Sequence, residues 1–233
     1  MEMRKVKFSV SLAGGGGDGG KRPVGTGEGK AGTVSGEYMI PDKPKAILTL
    51  AHGAGAGMHH SWMVELATAL AEKAGIATLR FNFPFTENKK GRPDSPAVAH
   101  ATIAAAIDHA RASLPALPLY AGGKSFGGRM TSQYLAAQPR KEVKGIVFFG
   151  FPLHPSGKPS IDRAEHLKEV KVRMLFLQGT KDELATWELI ESVCAKLTLA
   201  TLIKIDGANH AFKAGKRDVI GELVKATAGW MGI

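Results

Sequence analysis

Leu119-Tyr120-Ala121-Gly122-Gly123-Lys124-Ser125-Phe126-Gly127-Gly128-Arg129-Met130 is the stretch whose reading decides the fold. A continuous apolar strand over 117–122 runs into Gly123-Lys124-Ser125-Phe126-Gly127, and a helix carrying Met130 and Tyr134 follows. A G-x-S-x-G turn between strand and helix needs small residues at both outer positions, because strand and helix leave the turn almost face to face. It pushes the serine hydroxyl into the open at a helix N-terminus. The five letters alone recur by chance; the strand and the helix around them make a nucleophile elbow.

Working outward, the same alternation repeats. Ala46–Ala51 and Ile76–Phe81 read as apolar strands, with a helix between them whose face carries Met63, Leu66, Ala67 and Leu70. Residues 84–96, with three prolines and several charges, read as a loop, and Ile103, Ala106, Ile107 and Ala110 mark the next helix. Val143–Phe149, 173–177 and Ala200–Ile205 are further strands. Helices with faces Leu189/Ile190/Val193/Leu197 and Val219/Leu223/Val224 complete the pattern. Upstream, 4–12 and 33–40 alternate as half-buried strands do. Between them, ten of the twenty residues 13–32 are glycine, which predicts a flexible loop. Strands buried on both faces and alternating with amphipathic helices imply an α/β fold: a mostly parallel sheet of about eight strands covered on both sides, in one domain over 1–233.

Composition bounds the function classes. The 233 residues are 44% apolar and 22% charged, the balance of a folded protein. The single cysteine, Cys194, excludes an internal disulfide framework and fits a reducing, cytoplasmic setting. Its helix neighbours Ile190 and Leu197 point to core packing. The longest apolar run, 146–153, is far short of the roughly 20 residues of a membrane span, so no membrane partner is expected. The basic N-terminus leads into Phe8-Ser9-Val10-Ser11-Leu12, which is short and interrupted by serines, and reads as a strand and not as a signal peptide. The 31 basic and 21 acidic side chains give a net charge of +10, but the basic residues are scattered and carry no interleaved aromatic series. No specific nucleic-acid partner is expected. No feature of the sequence specifies an oligomeric state.

In such sheets the ligand sits beyond the carboxyl ends of the strands. A serine hydroxyl at that edge needs a base, and His210 follows the last strand. A histidine base needs a carboxylate to fix its tautomer, and Asp182 follows the preceding strand; Glu183 and Asp206 compete for that role. Attack on a carbonyl also needs oxyanion donors. The Phe126 N–H directly follows the serine, and the glycine-rich His52-Gly53-Ala54-Gly55-Ala56-Gly57 turn offers the Ala54 N–H, with Gly55 in reserve. His52 is expected to orient that turn. His52, Gly55, Lys124 and His154 are the candidate substrate-binding residues. Lys124, Arg129 or Arg92 would favour an acidic substrate.

Competing readings are weaker. His52, His59 and His60 have no carboxylate or cysteine at ligand spacing, so no metal is expected. Gly123-Lys124-Ser125 resembles the end of a phosphate-binding loop, but that motif needs a glycine where Pro118 stands. Gly29-Lys30 is followed by Ala31 where a hydroxyl is required. No cofactor is expected.

The chain resembles the α/β-hydrolase fold and, within it, a hydrolase family related to dienelactone hydrolases, to testis-expressed hydrolase-like proteins and to a subunit of the NSL histone-acetyltransferase complex. The resemblance rests on Leu50-Ala51-His52-Gly53-Ala54-Gly55-Ala56-Gly57-Met58, Arg80-Phe81-Asn82-Phe83-Pro84, Arg92-Pro93-Asp94, Gly122-to-Met130 and Phe151-Pro152-Leu153-His154-Pro155-Ser156-Gly157-Lys158-Pro159. The order Ser125, Asp182, His210 is the order that fold implies. Dienelactone hydrolases proper use a cysteine where Ser125 stands, so their substrate is not implied. The resemblance implies a serine carboxylesterase acting on a small-molecule ester. The short segment between the strands at 143–149 and 173–177 implies no large cap domain and a preference for short or medium acyl chains. A peptidase, a thioesterase and a non-catalytic interaction scaffold are the alternatives.

Overall fold

The computed structural model describes residues 1–11 and 32–233. The expected glycine-rich loop lies outside them, apart from Gly32, which opens a strand. Eight strands form one sheet: β1 (Glu2–Val10), β2 (Gly32–Ile40), β3 (Ala46–Ala51), β4 (Ile76–Phe81), β5 (Leu119–Lys124), β6 (Val143–Phe149), β7 (Arg173–Gly179) and β8 (Ala200–Ile205). Their order is β1-β2-β4-β3-β5-β6-β7-β8. β3 to β8 run parallel, while β1 and β2 form an antiparallel hairpin that joins β4 antiparallel.

The central strands β3 and β4 are buried along their whole length, and β5, β6 and β7 at all but one residue each, as their largely apolar runs require, while β8 at the sheet margin is only partly buried. Along β3, Ala46, Leu48 and Leu50 face one layer and Ile47 and Ala51 the other. Helices α1 (Ser61–Ala74) and α6 (Val219–Met231) cover the first layer through Met63, Leu66, Leu70, Leu223 and Val224. Helices α3 (Pro96–Ser113), α4 (Phe126–Ala137) and α5 (Trp187–Ala195) cover the second through Ile103, Ile107, Met130, Tyr134 and Ile190. Cys194 is buried there, and burial pushes its thiol up to about 12.

One helix departs from the sequence reading. Residues 84–96 hold a short helix, α2 (Pro84–Glu87), with Pro84 at its first position, where a missing N–H costs nothing. The segment between β6 and β7 contains one 3-10 helix, Asp162–Glu169, and no large cap. Among the described residues no helix is long and apolar enough to cross a membrane.

One polar pair crosses the interior. Arg80 in β4 faces Glu37 in β2 at the same register step, and the two form a buried salt bridge. The Arg80 guanidinium also donates to the Met58 carbonyl at 2.8 Å.

Candidate active site

The topology brings the candidate residues together. β4 lies on one side of β3 and β5 on the other, so the chain reverses direction across the sheet between β3 and β5. The turn after β3 and the turn after β5 are therefore neighbours at the carboxyl edge, where α/β sheets open a crevice.

Close backbone approach dictates the glycines of the elbow. A β-carbon on Gly123 would sit 2.4 Å from the Ala51 carbonyl oxygen, and one on Gly127 would sit 2.6 Å from the carbonyl oxygens of both Ala51 and His52. Ser125 itself has φ 50° and ψ −116°, a conformation that non-glycine residues seldom adopt and that costs on the order of 1–3 kcal/mol. Its side chain does not cap α4. The hydroxyl instead lies 2.8 Å from Nε2 of His210.

His210 Nδ1 lies 2.8 and 2.9 Å from the two carboxylate oxygens of Asp182. These partners assign the tautomer: Nδ1–H donates to Asp182, and Nε2 accepts from Ser125. Asp182 is buried and also accepts from Gln178 Nε2 at 2.6 Å and from the Leu184 N–H at 2.8 Å. The loops carrying Asp182 and His210 are tied together. Lys181 N–H donates to the Ala208 carbonyl at 2.9 Å, and Gly207 N–H donates to the Thr180 hydroxyl at 2.8 Å. The competing carboxylates stand elsewhere. Glu183 is exposed and accepts from the His210 backbone N–H at 3.4 Å, while Asp206 meets Thr180 at 3.4 Å.

A cavity of about 1060 Å³ opens over Ser125 and runs toward the N-termini of α1 and α6. Ala54 and Gly55 form its exposed rim, and Gly53 packs against the elbow, its α-carbon so placed that a β-carbon would lie 3.8 Å from that of Ser125. Phe126 heads α4, so its N–H has no acceptor within the helix. His60 lines the cavity and accepts from the Trp62 N–H at 3.3 Å; His59 is exposed and lies outside the lining.

Two of the four candidate substrate-binding residues do not reach the cavity. His52 has no exposed surface. Its Nδ1–H donates to the Gly53 carbonyl at 2.7 Å, and its Nε2 accepts from the Phe83 N–H and the Thr86 hydroxyl, each at 3.2 Å. Both nitrogens are used inside the protein, so the ring shapes the turn after β3 and leaves nothing for a ligand. Burial lowers its pKa to about 4, which keeps it neutral. His154 is buried too. Its Nδ1–H donates to the Pro155 carbonyl at 2.9 Å, and its Nε2 accepts from the Thr186 N–H and hydroxyl at 3.0 Å. It joins the loop after β6 to the loop carrying Asp182. Gly55 and Lys124 do line the cavity.

The sequence reading missed the cradle under the turn after β3. Met58 closes that turn, its carbonyl held by Arg80 and its N–H by Asn82 Oδ1 at 2.9 Å, while Phe83 holds His52. All three come from Arg80-Phe81-Asn82-Phe83, a segment noted only for resemblance. Also missed were Trp62 and Phe212, which wall the cavity with their rings 5.8 Å apart and nearly parallel.

The comparisons with known proteins agree with this architecture. A family model described as an alpha/beta hydrolase domain matches residues 44–226. Among solved structures, an alpha-beta serine hydrolase homologue from Coxiella burnetii superposes with a TM-score of 0.69 at 20% identity, covering 83% of this chain and 91% of that one. A dienelactone hydrolase from Anabaena variabilis gives 0.68 at 20% identity over 98% and 97% of the two chains. A serine hydrolase without a lid from Xanthomonas campestris gives 0.68 at 21% over 97% and 94%. Among curated sequences, two Mycobacterium tuberculosis proteins provisionally named phosphoribosyl transferases are 26% identical over 208 residues, which is 84% of this chain. The match spans only 43% of their own length.

Proposed function

Because the chain belongs to the alpha/beta hydrolase domain family, we propose that it is a serine hydrolase that cleaves carboxylic esters of small molecules by two-step acyl transfer. The observation that carries the reading is the unbroken chain of hydrogen bonds from Ser125 through His210 to Asp182.

Ser125 attacks the ester carbonyl as His210 Nε2 takes its proton, and Asp182 holds the ring and balances the imidazolium that forms. The negative oxygen is received by the N–H groups of Phe126 and Ala54, each such donor being worth about 3 kcal/mol in the transition state. His210 then protonates the leaving alcohol, and the acyl-enzyme forms. Water, activated by the same histidine, attacks the acyl carbon and releases the acid. The step needs no cofactor.

The 3-10 helix between β6 and β7 is too short to roof the cavity, which supports short or medium acyl chains. The same machinery serves thioesters and peptides. The transferase name belongs to proteins in which the matched stretch is the smaller part, and it is not carried over to this chain.

The test is a panel of p-nitrophenyl esters of rising chain length, with thioester and peptide substrates alongside, on the wild type and Ser125→Ala. The expected result is ester turnover that peaks at short or medium chains, fluorophosphonate labelling, and loss of both in Ser125→Ala. A folded wild type that resists labelling and turns over nothing would support a non-catalytic scaffold. A maximum at long chains would overturn the chain-length preference alone.

A further inference from the structure

Lys124 immediately precedes the nucleophile in the elbow, and its half-buried side chain turns toward the loop that carries His210. The ammonium lies between the face of Phe212, 5.1 Å from the ring centre, and that of Trp62, 5.7 Å away. Nζ donates to the backbone carbonyl of His210 at 2.5 Å. The space it occupies exists because residue 150 is glycine. A β-carbon on Gly150 would meet Lys124 Nζ at 3.2 Å, Phe212 at 3.5 Å and the Asp182 carboxylate at 3.6 Å. The cation, the ring and the carboxylate thus converge on one point above Gly150.

Burial of this kind is costly. A desolvated ammonium gains less from one carbonyl and two aromatic faces than it loses in water, and Asp182 and Glu183 attract it without forming a contact ion pair. Desolvation brings its pKa down to about 8, against the pull of those two carboxylates. A methionine of similar length would fill the same space without that cost. Stability therefore does not explain the lysine, and its contact with the residue that carries the imidazole does.

Resting on the serine-hydrolase reading above, we infer that Lys124 is a positioning residue for His210. Its charge-assisted hydrogen bond fixes the main chain of His210 so that Nε2 reaches Ser125 while Nδ1 reaches Asp182. The charged groups around His210 are Asp182 and Glu183 from the loop after β7, Lys124 from β5, and Lys213 on its own loop; Glu65 of α1 and Arg217 and Asp218 ahead of α6 line the same cavity. Lys124 is the one cation among these that hydrogen-bonds to His210. The acyl acceptor and donor meet Ser125 and His210, and Lys124 acts on them through the loop.

The experiment compares wild type, Lys124→Met and Lys124→Arg in steady-state hydrolysis of p-nitrophenyl acetate at pH 7, with thermal melting on each. Lys124→Met is expected to melt at or above the wild-type temperature and to lose roughly 10- to 100-fold in kcat with KM nearly unchanged. Lys124→Arg, which keeps donor and charge, should recover part of kcat. Wild-type kcat in Lys124→Met would overturn the inference, as would a fall in melting temperature that accounts for the lost activity, or a Lys124→Arg variant no more active than Lys124→Met. Failure of the wild type to turn over any ester would instead strike the reading on which the inference rests, so the two failures are told apart.

Discussion

Gly127 lies so close to Ala51 that a β-carbon on the glycine would sit 2.6 Å from the alanine carbonyl oxygen. That carbonyl belongs to β3 at the center of the sheet and cannot move aside. Gly127→Ala is therefore expected to lower stability by about 3 kcal/mol, the upper part of the usual overpacking range. Urea unfolding measures it; a midpoint within error of the wild type would show that α4 can shift without loss.

Ser125 adopts φ 50° in the same turn. Replacing it with glycine removes the β-carbon for which this region is strained. Ser125→Gly is expected to raise stability by about 1 kcal/mol while abolishing fluorophosphonate labelling. Thermal melting and labelling on one preparation test both halves, and a destabilised variant would mean that the hydroxyl's bond to His210 outweighs the strain.

Asp182→Asn keeps the size of the side chain but turns one acceptor into a donor. The amide would face N–H groups from Gln178, Leu184 and His210, so the ring can no longer be held with its proton on Nδ1. A fall in kcat of about 10⁴ is expected, with labelling by fluorophosphonate slowed in parallel. Activity within tenfold of wild type would shift the orienting role to Glu183.

Arg80 and Glu37 neutralise each other in the interior, and Arg80 also carries the Met58 end of the turn after β3. Glu37→Leu leaves a guanidinium buried without its counter-charge and is expected to cost about 3–5 kcal/mol. Adding Arg80→Met should restore most of that stability but not the turn, so activity should stay low in a refolded double variant. Chemical unfolding of the three variants decides it.

His52 sets a limit on stability in acid. Burial lowers its pKa to about 4 in the fold, against about 6.5 in the open chain. Below pH 6.5 the unfolded chain takes up a proton that the folded chain refuses. Stability present above pH 6.5 is thus lost as pH falls toward 4, by up to roughly 3 kcal/mol from this residue. His166 shifts in the same direction, to about 4, through burial and the nearby Arg129 and His100 charges. Urea midpoints at pH 7 and pH 4.5 should fall more steeply in wild type than in His52→Gln, and parallel lines would exclude His52 as a source.

Much of this was legible from residue order because the relevant signals are local. The limits of β3, β4, β6 and β8 follow from largely apolar runs, and the glycines at 123 and 127 announce a turn whose sterics any sheet would impose. Ser125, Asp182 and His210 each follow a strand, so topology alone predicts that they meet. What sequence order does not carry is where a side chain turns once it arrives. His52 and His154 sit in loops beside the site and look available, yet both ring nitrogens of each are consumed by backbone and threonine partners. Lys124 looks like a cation for an acidic ligand, and its ammonium is turned inward onto His210. The helix at Pro84–Glu87 hid behind its own proline, which breaks a helix interior but suits a helix start.

Among the described residues, the strand order leaves β1 at one margin of the sheet, paired on a single side. A bare strand margin is a template on which a second chain can pair and from which insoluble aggregates grow. Here Arg4, Lys5 and Lys7 stand along it, so two such margins repel before their backbones can meet. Part of the net charge of +10 then serves colloidal solubility.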